Sequence, residues 1–93
     1  MKAIWNGQVL AESDMTVTVE GNHYFPISSM NSAFFIESET TSICPWKGEA
    51  HYYTISVNSE ENVNAAWYYP SPKDAAAEIK GHIAFWRDVE VRE

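Results

Sequence analysis

The segment TSICPWKGEAHYYTI, Thr41 to Ile55, holds the only cysteine of the chain, a lysine–glycine pair and a histidine among aromatic residues. A cysteine is a nucleophile only as the thiolate, and a nearby cation favours that form. Lys47 follows Cys44 across Pro45 and Trp46, so its ammonium can approach the sulfur, and His23, His51 and His82 are candidate bases. Cys44 and Lys47 are thus the candidate catalytic residues. Free cysteine is also among the most buried residue types, and packing as a small apolar group is its commoner role. Gly48 can adopt a positive φ or let the backbone approach a ligand. No Walker-type phosphate loop surrounds the Lys47-Gly48 pair, and a solvated turn lysine is the plainer reading. One cysteine and scattered histidines would need three separate elements to build a metal site, so no metal site and no cofactor is expected.

The strand-like run AHYYTISV alternates, with His51, Tyr53, Ile55 and Val57 on one face and Ala50, Tyr52, Thr54 and Ser56 on the other. VNAAWYY follows after a polar turn and puts Val63, Ala65, Trp67 and Tyr69 on one face. If the two strands pair, Tyr53, Trp67 and Tyr69 form an aromatic wall. Such walls with a few polar groups build small-molecule pockets, and they also build small β cores. Tyrosine and tryptophan need partners for O–H and N–H when buried, which suits a half-wet pocket. The expected ligand-binding set is Lys47, Gly48, His51, Tyr53, Trp67 and Tyr69, with Cys44 on the floor. A histidine on an apolar face is more often a hydrogen-bonded rim or core residue than a functional one.

These residues need a scaffold, and the remaining chain reads as one. Asn6-Gly7 between short apolar runs is a strong hairpin signal. Val17 and Val19 alternate with threonines before a turn at Glu20-Gly21-Asn22, and His23-Tyr24-Phe25 returns as a strand ended by Pro26. AFFIE and TTSIC are rich in aromatic or β-branched residues, and Pro45 and Gly48 bracket a turn. The pattern changes at PSPKDAAAEIK, where Ser71 suits an N-cap, Pro72 the first helical position and Asp74 the capping-box acid. The spacing predicts a helix over about 72–80 followed by an extended tail, although HIAFW in 81–87 can read as strand or helix. The expected fold is mainly β (α+β): a compact antiparallel β-roll or sandwich of about six to eight short strands with one C-terminal helix.

With 93 residues, the chain has room for one domain, 1–93, and one core. Six basic and 13 acidic residues give a net charge of −7, which disfavours phosphate backbones and anionic membrane surfaces. No nucleic-acid or membrane partner is therefore expected. The start, MKAIWNGQ, turns polar too soon for a signal peptide, and no apolar run approaches a membrane span, so a reducing cytoplasm is the simplest setting.

YFP (24–26), TSICPWKGEAHYY (41–53), AAWYYPSP (65–72) and AAAEIKGHIAFW (75–86) together resemble a family of small domains of unknown function that also carries a nucleotidyltransferase-like label. The signature is Thr-x-x-Cys-Pro-aromatic-Lys-Gly followed by Ala-x-Tyr-aromatic, and the order and spacing match over nearly the whole chain. The resemblance implies a compact, mainly antiparallel β domain with its shared residues around Cys44, Lys47, Gly48, Tyr53, Trp67 and Tyr69. It does not imply a chemistry. Nucleotidyl transfer needs carboxylates holding a divalent metal beside a phosphate cradle. The chain has no Asp pair or Gly-Ser loop of that kind, and Glu37, Glu39 and Glu49 stand apart.

Three readings follow. The first is a domain that binds a small ligand, anionic or nucleotide-like, through Lys47 and the aromatic wall. The second is a non-catalytic interaction module that pairs as a homodimer through Tyr52 and Tyr68, on the strand faces away from that wall. The third is an enzyme or transferase that uses Cys44 as nucleophile, assisted by Lys47 or His51.

Overall fold

Three tight turns set the geometry of the chain, which a computed structural model describes over residues 1–93. Asn6-Gly7 (φ 51° and 77°), Glu20-Gly21 (53° and 79°) and Asn58-Ser59 (52° and 67°) each place two positive-φ residues between paired strands. That is the backbone of a two-residue hairpin loop whose twist matches the twist of its strands.

The strands so joined are β1 (Lys2–Trp5), β2 (Gln8–Glu12), β3 (Val17–Val19), β4 (Asn22–Pro26), β5 (Phe35–Cys44), β6 (Gly48–Val57), β7 (Glu60–Tyr68), β8 (His82–Phe85) and β9 (Glu90–Arg92). They form two antiparallel sheets, a small one in the order β2-β1-β9 and a large one in the order β3-β4-β8-β7-β6-β5. The nine strands exceed the six to eight expected, and β9 is a three-residue piece that its pairing with β1 makes visible. No helix is long and apolar enough to cross a membrane.

The large sheet packs residues on both faces, although its edge strand β5 has none in the buried class. On one face, Phe25, Ile55, Val57, Ala66, Ile83 and Phe85 pack against Ala3, Leu10 and Ala11 of the small sheet. Burying one Phe, Leu or Ile side chain contributes about 1.5–3 kcal/mol, whereas a cross-strand pair adds about 0.2–1 kcal/mol. Sheet-on-sheet burial therefore holds the small sheet in place. On the other face, Val19, Tyr24, Ala50, Tyr69 and Ala84 meet Ala76 and Ile79.

The helix expected over 72–80 does not form. Asp74–Ile79 instead winds as 3-10 turns, interrupted at Ala76 (φ −121°, ψ 24°). A segment this short cannot hold an α-helix on propensity alone, and its buried residues, Ala76 and Ile79, fall one 3-10 turn apart. The start of the segment is also tethered, since the Lys73 amide donates to the Lys47 carbonyl at 2.8 Å. The region read as an extended tail is β8, an interior strand inserted between β4 and β7.

Candidate functional site

The two-residue Asn58-Ser59 loop fixes which aromatic residues share a face, because it pairs Val57 with Glu60 and so sets even-numbered β6 residues opposite odd-numbered β7 residues. Tyr52 pairs with Trp67, and His51 with Tyr68. A bulge in β7 near Asn64 (φ 56°) shifts the register without changing that parity. The aromatic wall is therefore Tyr52 with Trp67 and Tyr69, and the assignment of Tyr53 to it is corrected.

These rings face a cleft of about 300 Å³ lined by Asn22, Lys47, Tyr52, Trp67, Tyr69 and Trp86. Tyr52 and Trp67 come from adjacent strands of the large sheet, and Tyr69 follows β7. Asn22 opens β4, Lys47 sits in the β5–β6 turn, and Trp86 follows β8. Trp86 leans over the cleft, stacked on Tyr52 at 6.5 Å between centroids and edge-on to Trp67 at 5.6 Å. Its indole N–H donates to the Asn64 carbonyl at 2.6 Å, and the Arg87 guanidinium lies 4.7 Å from its ring centroid. The bulge thus presents the carbonyl that fixes Trp86. Below, the Ser42 and Tyr52 hydroxyls meet at 2.7 Å.

Lys47 is the only charged residue in the buried class, at 7% exposure. Its ammonium donates to the Glu20 carboxylate and lies 4.9 Å from the Trp46 ring and 5.9 Å from the Tyr69 ring. Burial alone would lower its pKa, but the Glu20 hydrogen bond and the neighbouring Tyr24 outweigh it, and the net direction is upward. Lys47 therefore stays charged. Burial also drives the Tyr69 phenol well above the ordinary tyrosine range. Tyr24 is raised by burial too, partly offset by the Trp67 N–H donated to it.

The other expected site residues lie elsewhere. Tyr53 is on the opposite face, stacked on Tyr68 at 5.2 Å and edge-on to Phe35 at 5.6 Å. Burial, then the neighbouring Tyr68, raises its phenol. His51 shares that face, bonded to Glu49 at 2.8 Å and 5.8 Å from the Tyr68 ring. Cys44 is half-buried at the end of β5 beside the second core and does not line the cleft. Gly48, at φ 115°, is where the chain from Ser71 crosses, since a Cβ there would sit 3.4 Å from the Ser71 carbonyl oxygen. Its role is to seat the Lys47 turn against that segment. The cleft thus unites Lys47, Trp67 and Tyr69 with three residues outside the expected set, Asn22, Tyr52 and Trp86. Tyr52 follows from the loop length and the register shift near Asn64 taken together, and no local signal marks the other two.

A family model described as a domain of unknown function (DUF427), and labelled NTP_transf_9, matches residues 1–93. No curated protein matches the chain.

Proposed function

The chain belongs to the DUF427 family, and we propose that it is a binding domain for a small planar ligand held among Tyr52, Trp67, Tyr69 and Trp86. The observation that carries this reading is the convergence of four aromatic side chains, with Asn22 and Lys47, on one cleft of about 300 Å³. That volume is at the small end for ligand pockets. It suits a single or fused ring with a short substituent rather than a polymer. The rings supply stacking area, and the Asn22 amide and Lys47 ammonium supply polar groups that can orient the ring.

The alternatives have less support. Tyr52 and Tyr68 lie on opposite faces of one sheet, which argues against a homodimer surface built on both. Cys44 is outside the cleft lining, which weakens a Cys44-based enzyme or transferase. No three His, Cys, Asp or Glu side chains gather as nucleotidyl transfer would require of its metal ligands.

Titration of tryptophan fluorescence with adenine, AMP, nicotinamide, nicotinate, indole-3-carboxamide and indole-3-carboxylate tests the proposal. Stacking one ring on an aromatic side chain is worth about 1–3 kcal/mol. Trp86→Ala is accordingly expected to weaken a saturating ligand by about tenfold or more, while Tyr53→Phe on the far face leaves it unchanged. No saturable binding by any of the six, or equal effects of the two substitutions, would refute the reading.

A further inference from the structure

The Lys47–Glu20 pair is lopsided. The lysine side chain is 9% exposed and the glutamate side chain 52%. The two residues come from different turns: Glu20 lies in the β3–β4 loop, which leads directly into Asn22 of the cleft, and Lys47 lies in the β5–β6 turn. Glu20 also sits in the left-handed region (φ 53°) as the first residue of a two-residue hairpin loop. Asn, Asp or Gly ordinarily takes that position, and a non-glycine residue in such a conformation persists when its surroundings repay the strain.

We infer that Glu20 is an internal stand-in for an anionic group on the ligand, and that an acidic ligand binds by exchanging its own carboxylate or phosphate for that of Glu20 on Lys47. This rests on the cleft being a planar-ligand site. Glu20, already half in water, can swing out and be hydrated at little cost. Lys47 cannot follow it, because its ammonium is enclosed by Trp46, Tyr69 and the sheet, and a buried cation without a partner is strongly unfavourable. Only a ligand that brings an anion re-pairs Lys47 when Glu20 leaves. A neutral ring must bind with the pair closed. The pair therefore selects for acidic planar compounds, and its closed form holds the affinity for them down in a way that depends on the Glu20 charge.

The test uses charge-matched pairs of nearly equal shape, nicotinate against nicotinamide and indole-3-carboxylate against indole-3-carboxamide, on the wild-type protein and on Glu20→Gln. Glu20→Asn serves as a second variant whose side chain suits the turn, and circular dichroism checks the fold of each. Both substitutions are expected to tighten binding of the acids by about tenfold, the effect of removing a competing carboxylate, and to change binding of the amides less than twofold. AMP against adenosine distinguishes phosphate from carboxylate as the favoured anion. If acids and amides bind alike and both variants shift them equally, Glu20 is only structural and the inference falls while the planar-ligand reading stands. If neither acids nor amides bind any of the three proteins, the reading falls and takes the inference with it.

Discussion

The indole N–H of Trp67 donates to the phenolic oxygen of Tyr24 at 3.2 Å, with the rings edge-to-face at 6.1 Å. Tyr24 is fully buried in β4, and Trp67 is half-buried in β7 with its ring in the cleft. The bond thus passes beneath the intervening strand β8 and pins the cleft floor to the interior.

Tyr24→Phe should keep the ring packing and leave the Trp67 N–H without its partner. A buried donor left unsatisfied costs about 1–3 kcal/mol; the half-buried indole places this one near the lower end. Urea denaturation should show a loss of about 1 kcal/mol, with weaker ligand stacking on Trp67. An unchanged midpoint would show that the bond carries no weight.

The two halves of the Lys47–Glu20 pair should differ when each is removed. Lys47→Met leaves a half-exposed carboxylate that water can solvate, so its effect on stability should be small. Glu20→Gln leaves an ammonium buried with a weaker partner, a situation that is costly for enclosed charges. A loss of about 1–2 kcal/mol is expected, below the range for fully buried pairs because Glu20 itself faces solvent. Thermal melts of the two variants decide this, and the opposite order would contradict it.

Gly48→Ala places a side chain at φ 115°, with the Ser71 carbonyl oxygen 3.4 Å from the new Cβ. Positive-φ strain on an L-residue costs about 1–2 kcal/mol. Because the Lys73 amide bonds to the Lys47 carbonyl next door, the same substitution should also displace the lysine and weaken binding of acidic ligands. Loss of stability with ligand affinity intact would separate Gly48 from the cleft.

Alkaline pH should destabilise the fold through four groups of one sign. Burial raises the Tyr24, Tyr53 and Tyr69 phenols; at Lys47 burial acts downward, and the Glu20 hydrogen bond and the neighbouring Tyr24 together outweigh it. All four hold their protons more tightly folded than unfolded. Their contribution is fully present below the unfolded values, about 10 for tyrosine and 10.4 for lysine, and is lost as pH rises through the folded values. The urea midpoint should fall above about pH 10, and Tyr69→Phe should make that decline shallower. A midpoint that rises there, or an unaltered slope in the variant, contradicts the assignment.

Adjacent residues alone determined much of this protein. Asn6-Gly7 announces its hairpin, and Gly21 the next, because Asn and Gly tolerate positive φ, and the alternation of Ala50–Val57 announces a strand because side-chain direction repeats every second residue. The resemblance to the family was carried by short stretches of adjacent residues, and a family model matches residues 1–93. The choice of Tyr52 over Tyr53 was not legible there, since it follows from the two-residue Asn58-Ser59 loop together with the register shift near Asn64, both of which appear only in the strand pairing. Only the tertiary structure decided that β8 runs between β4 and β7, which brings Trp86 over a cleft whose floor comes from β6 and β7. It also decided that Glu20 meets Lys47 and that the 74–79 segment winds as 3-10 turns under the large sheet. These outcomes depend on which distant surfaces bury one another. Burial energy is set by complementary area across the whole chain, so no window of neighbouring residues contains it.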